Sequence, residues 1–114
     1  MSIATQKQGM LDAVTQLRLA EQALIVASRT MTDPAQLIQV NTEYSHLDSY
    51  VSQLLQTQAI ADDATFTAAT ASLKAQATNL QTQEAGITTT IKDVATAAQI
   101  VSYITQAINI IAAL

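Results

Sequence analysis

Apolar residues recur at helical spacing along the first third of the chain. Most of them are separated by three, four or seven residues, which places them on one face of an α-helix: Met10, Val14, Leu17, Leu24 and Met31. This stripe predicts a first amphipathic helix over about residues 3–31.

The sequence Thr32-Asp33-Pro34 predicts the next boundary. An aspartate side chain can accept hydrogen bonds from the free N–H groups of a first helical turn, and proline suits the first helical position. We therefore expect a turn at Thr32, Asp33 and Pro34, followed by a second helix over about residues 34–58.

The second helix carries a regular apolar seam, in which spacings of three and four alternate as in helical bundles and coiled coils. Its members are Leu37, Val40, Tyr44, Leu47, Val51 and Leu54, with Tyr50 beside them. The opposite face is interpreted as polar and holds Gln39, Glu43, His46 and Gln53. The seam predicts packing against other helices, in the same chain or in further copies.

The second half of the chain predicts one or two further helices. Asp62 and Asp63 suit a helix start, and an apolar row continues to Leu80, which gives a helix over about residues 63–84. Gly86 and the threonines after it predict a break, with a last helix over about residues 88–113. The apolar spacing does not shift at Gly86, so one long helix over residues 63–113 is the alternative.

Composition agrees with an all-α chain of few turns. Only 2 glycines and 1 proline occur in 114 residues, whereas strand-rich sandwiches and barrels need turn residues at short spacing. The prediction is a single domain, residues 1–114, formed as an antiparallel bundle or extended hairpin of three to four long amphipathic helices.

Charged residues make up 12%, against about 25% in ordinary domains. A weakly charged surface opposes self-association less.

The residues that could carry chemistry are few and isolated. His46 is the sole histidine and has no second ligand at helical spacing, so it is interpreted as a surface residue. No glycine-rich loop is present and there are 0 cysteines, which excludes disulfides and thiolate metal sites. The net charge of −4 and the scattered cations argue against nucleic-acid binding. We expect no enzyme activity, cofactor or metal.

The last predicted helix is unusual because no charged residue occurs from Val94 to Leu114. Its length is close to the roughly 20 residues that cross a bilayer, but Gln99, Gln106 and Asn109 would be costly in lipid. Three placements stay open: the core of the chain's own bundle, an interface between subunits, or a membrane. Its predicted seam consists of Val101, Ile104, Ile108, Ile111 and Leu114.

Residues 32–52 resemble the hairpin segment of type III secretion needle and inner-rod subunits. The matching positions are Thr32, Asp33, Pro34, Leu37, Ser45, Tyr50, Val51 and Ser52, and Ile91-Lys92-Asp93-Val94 resembles the start of the needle's C-terminal portion. Subunits of that kind are helix–turn–helix chains that stack into hollow filaments. The resemblance implies a bacterial, self-assembling structural protein.

Three functions are therefore weighed from the sequence. The first is a non-enzymatic structural subunit of a secretion-associated or extracellular filament or oligomer, a homo-oligomer with secretion-system components as further partners. The second is a membrane-active, pore-forming protein that uses residues 94–114. The third is a small helical adaptor or immunity-type module. No cleavable signal peptide is predicted, so secretion by a specialised system or display at the cell surface is expected, with the cytoplasm as the alternative.

Overall fold

Five helices account for most of the chain. The computed structural model describes residues 2–114 and contains α1 (Ile3–Ser28), α2 (Pro34–Gln58), α3 (Asp63–Gln76), α4 (Thr78–Thr90) and α5 (Val94–Ala112). No strand occurs in that range. The predicted all-α fold class is therefore confirmed.

Helices α3 and α4 form one rod with an irregular turn at Ala77. The Ala77 N–H donates to the Lys74 carbonyl at 3.2 Å, a tighter i→i−3 bond than the α-helical one. Ala77 keeps a right-handed helical conformation, with φ −61° and ψ −23°. The rod direction therefore continues through the turn, and the five helices build four rods.

The four rods alternate in direction and close into a bundle. At one end the Gln6 amide donates to the Leu114 carbonyl at 2.7 Å, and Lys7 Nζ donates to the Ile60 carbonyl at 2.8 Å. The start of α1 thus lies beside the ends of α2 and α5. Each rod packs against the rods before and after it, and α5 returns to α1. The result is an antiparallel four-helix bundle of 48 × 21 × 19 Å.

The core is built from one row of buried residues on each rod, spaced three and four residues apart. Completely buried members include Leu17 on α1, Leu47 on α2, Phe66 on α3, Ile87 on α4 and Ile104 on α5. Burying each of these side chains stabilises the fold by about 1.5–3 kcal/mol. The rows make the apolar residues of one rod interlock with those of its two neighbours.

The structure corrects the predicted boundary near Gly86. Helix α4 runs through Gly86 to Thr90, the turn lies at residues 91–93, and Asp93 caps α5 by accepting from Ala95 N at 3.1 Å. The predicted ranges 63–84 and 88–113 therefore end and begin at the wrong residues, and a single helix over 63–113 is also wrong. Helix α1 ends at Ser28 and not at residue 31. The apolar spacing, which does not shift at Gly86, correctly indicated that the helix continues through this residue.

Candidate functional site

The turn at Thr32, Asp33 and Pro34 joins α1 to α2. Asp33 adopts an extended backbone and its Oδ1 accepts from Ala35 N at 3.0 Å, while Pro34 is the first residue of α2. Asp62 begins α3 in the same way, by accepting from Thr65 N at 2.8 Å. Each aspartate satisfies a backbone donor that its helix leaves free. These residues set the geometry of the turns.

The predicted seam of α2 lies against the chain's own helices. Val40, Leu47, Tyr50, Val51 and Leu54 are buried, whereas Leu37 and Tyr44 are half-buried. The Tyr50 hydroxyl donates to the Leu73 carbonyl at 2.6 Å, a carbonyl left free because Ala77 N–H bonds Lys74. Burial raises the pKa of Tyr50 to about 12, so this donor keeps its proton at neutral pH. The seam therefore serves the bundle itself.

Helix α5 is also held by the bundle through one face. Ile104 and Ile111 are buried, and Val101, Ile108 and Leu114 are half-buried, among the seam residues predicted for it. Gln99, Gln106 and Asn109 are exposed on the other side. The Thr105 hydroxyl donates to Glu84 Oε2 on α4 at 2.8 Å. The apolar face of α5 thus belongs to the intrachain core.

Helix α5 nonetheless has the length and composition of a membrane span. It contains 19 residues of mean hydropathy 1.3, and 28% of its most apolar stretch is buried in the bundle. It is the one helix with these properties among the described residues. The exposed amides on its outer face distinguish it from a helix that is apolar all round.

Glu43 lies in the helix interface, not on the polar face to which its position on α2 was assigned. Only 5% of it is exposed, and its Oε1 accepts from Gln39 Nε2 at 2.7 Å. Its Oε2 is buried with no hydrogen-bond partner among residues 2–114. The carboxylate lies directly over Gly86 of α4, where a Cβ atom would overlap Oε1. Burial raises the pKa of Glu43, and the Gln39 bond and His46 act in the opposite direction.

Glu21 is a second buried acid, on the other side of α2. It is 2% exposed, and neither carboxylate oxygen has a hydrogen-bond partner among the described residues. Arg18 Nη1 lies 3.6 Å from Oε1 but is shared with Asp48 Oδ1 at 3.2 Å. Burial and then Asp48 raise the pKa of Glu21 from its usual 4.5 to about 7, and Arg18 only partly offsets them.

The burial of both acids was missing from the sequence-based prediction for the same reason. Glu21 lies four residues after Leu17 and three before Leu24, and Glu43 lies three residues after Val40 and four before Leu47. Counting apolar residues alone passes over a carboxylate that is in phase with the core. The signal that could have found them is their register with the buried row.

A groove of about 330 Å³ lies between α2 and the α3–α4 rod. His46 is exposed at its edge, and its Nδ1 is 2.6 Å from Gln83 Nε2, which donates to it. The groove also contains Ser49, Asn79 and Thr82, but none of these is hydrogen-bonded to His46. No group of three His, Asp or Glu side chains in residues 2–114 could hold a metal ion. The groove therefore brings together neutral hydrogen-bonding groups around a single imidazole.

Most large apolar side chains left exposed lie at one end of the bundle, where the α1–α2 and α4–α5 turns meet. We call residues 25–38 and 90–96 the turn end; they share a cleft lined by Met31, Gln36 and Ile91. Its exposed apolar residues are Ile25, Val26, Ile38 (67% exposed) and Val94 (81% exposed). A fifth, Leu55, lies near the other end of α2. None of the four residues at the turn end belongs to the seams predicted for α2 and α5.

The fold places this chain in the class of antiparallel four-helix bundles. Comparison with models of known protein families, with curated protein sequences and with solved structures finds no match to this chain.

Proposed function

We propose that the protein is a non-enzymatic structural subunit that assembles with further copies of itself through the turn end, in a bacterial secretion-associated or extracellular filament or oligomer. The observation that carries the proposal is the exposure of Ile25, Val26, Ile38 and Val94 at that end. Apolar side chains grouped on an otherwise polar surface are typical of protein contacts.

Charge distribution supports the same surface. The turn end contains two cations, Arg29 and Lys92, and two anions, Asp33 and Asp93. It is therefore neutral, and the net charge of −4 comes from the rest of the chain. Copies that meet through the turn end therefore bring no net charge together.

The surface outside the predicted seams is what the fold leaves free for contacts between copies. The apolar seams of α2 and α5 are already occupied by neighbouring helices of the same chain. Contacts between copies of the closed bundle thus use side chains outside those seams. The resemblance of residues 32–52 to secretion needle subunits falls partly within the turn end and agrees with this assignment.

The test is the mass of the protein across a concentration series, by light scattering or sedimentation. We expect the mass of the unaltered chain to rise with concentration, and Ile38→Gln with Val94→Gln to keep it near that of one chain. Leu55→Gln is the matched control, because Leu55 is 37% exposed but lies away from the turn end. A monomer at every concentration, or equal effects of the two variants, would overturn the proposal.

The properties of α5 favour a second candidate function, membrane insertion. In this candidate Val94–Ala112 leaves the bundle and crosses the bilayer, and its length and mean hydropathy of 1.3 support this. Release of dye from liposomes by the full chain tests it. Release that is lost on Ile104→Asn, with helicity in solution retained, would favour insertion, whereas no release would exclude it.

A further inference from the structure

We propose that Glu21 and Glu43, the glutamate pair, make the packing of α2 into the bundle dependent on pH. Helix α2 is held tightly when both carboxyl groups are protonated and loosens when both are ionised. The proposal concerns the closed bundle alone and does not depend on how copies assemble.

One carboxyl of the glutamate pair lies in the α1–α2 interface. Glu21 extends from α1 toward Tyr44 and Asp48 of α2 and is 2% exposed. Ionisation of Glu21 places a second anion beside Asp48. Arg18, which is 49% exposed and lies 3.2 Å from Asp48, is the one cation facing Glu21 and Asp48. A buried anion with no hydrogen bond is costly. Protonation removes this charge from the interface.

The other carboxyl of the glutamate pair lies in the interface between α2 and α4. Glu43 points from α2 onto Gly86, and the amide of Gln39 is its sole hydrogen-bond donor. Helix α4 supplies no cation here, and its one acid, Glu84, accepts from Thr105 of α5. His46, on α2 itself, is the one basic residue close enough to favour the ionised form. Ionisation therefore charges this interface as well.

The glutamate pair brackets the middle of α2. Glu43 and the Glu21 neighbours Tyr44 and Asp48 lie within five residues of one another, around the completely buried Leu47. No other carboxylate is buried among the described residues, and α5 itself has no charged residue. Ionisation of the pair thus weakens both contacts of α2 and leaves the packing of α5 unchanged.

The direction of the pH effect follows from the raised pKa values. Burial raises the pKa of both carboxyls, that of Glu21 from 4.5 to about 7. A group whose pKa is raised on folding contributes full stability below its unfolded pKa and loses it as pH rises through the folded one. The contribution of Glu21 is therefore full below about pH 4.5, where the bundle is tightest. It is lost as the pH rises to and through about 7, and the bundle loosens over that range.

Amide hydrogen exchange of the full chain tests the proposal, with protection corrected for the intrinsic pH dependence of exchange. Between pH 5 and pH 8 we expect protection of α2 to fall on the order of 100-fold, from the raised pKa of Glu21 and the linkage relation. Protection of α5 should fall much less. In Glu21→Gln with Glu43→Gln, which mimics the protonated pair, α2 should keep its protection at pH 8. Glu84→Gln is the matched control and should behave like the unaltered chain.

A second measurement keeps the proposal testable should the double variant fail to fold. Carboxyl chemical shifts of the unaltered chain, followed by NMR against pH, should show titration midpoints of Glu21 and Glu43 above 4.5. A midpoint at or below 4.5 for either residue would overturn the proposal. So would protection of α2 that is independent of pH, or an equal loss in α2 and α5.

Discussion

Replacing Gly86 by alanine provides a sharp test of the α2–α4 interface, because helix propensity and tertiary contact predict opposite signs. Gly86 lies inside α4 with ordinary helical geometry and no positive φ. On propensity alone, alanine in a helix interior is more stable than glycine by about 0.5–1 kcal/mol. In this structure the added Cβ overlaps Oε1 of Glu43, so the carboxylate must move.

The cost of that movement can be estimated from the contacts of Glu43. Its Oε1 accepts from Gln39 Nε2 at 2.7 Å, and a buried polar group left without its hydrogen-bond partner costs about 1–3 kcal/mol. Subtracting the propensity gain, we expect Gly86→Ala to destabilise the chain by about 0.5–2 kcal/mol. In a Glu43→Ala background nothing occupies the space above Gly86, so the same substitution should stabilise by about 0.5–1 kcal/mol.

Urea unfolding of the four proteins in this double-mutant cycle measures the effect, followed by circular dichroism at pH 7. The expected coupling energy between the two positions is about 1–3 kcal/mol. Gly9→Ala is a useful control, since its Cβ would meet Leu114 Cδ2 at 2.9 Å, the tip of a flexible side chain that can move aside. It should stabilise. Equal effects of Gly86→Ala in both backgrounds would refute the placement of Glu43 over Gly86.

Three further substitutions test other parts of the bundle. Phe66→Ala removes a completely buried ring that Lys7 Nζ approaches to 5.3 Å, and should lower the free energy of unfolding by about 3–5 kcal/mol in urea titrations. Asp93→Ala removes the cap of α5 and should cost about 0.5–2 kcal/mol by the same measurement; Asp93→Asn should retain most of it, and an equal loss would contradict a capping role. Tyr50→Phe leaves the Leu73 carbonyl without its donor and should cost about 1–3 kcal/mol; an unchanged thermal midpoint would show that this bond does not hold α2 to α3.

The sequence by itself determined the class of fold and one of its turns. Spacings of three and four, few glycines and the Thr32-Asp33-Pro34 sequence predicted an all-α chain with α2 over residues 34–58, and α2 spans those residues. Such signals are local, since capping and amphipathic periodicity involve residues within a few positions of one another. Gly86 misled the prediction because its local preference is that of a helix end. The carboxylate that occupies the space above it comes from another helix.

Only the tertiary structure decided which polar residues enter the core and what covers the apolar helices. Glu21 and Glu43 have the register of core positions but the chemistry of surface ones, and their burial depends on which rods pack beside them. The apolar row of α5 is compatible with a core, a subunit interface or a membrane, and its packing against α1 and α4 places it in the intrachain core. The exposure of Ile38 and Val94 was likewise decided by how the rods close, because the exposure of a side chain depends on which rods pack beside it and not on its neighbours in the sequence.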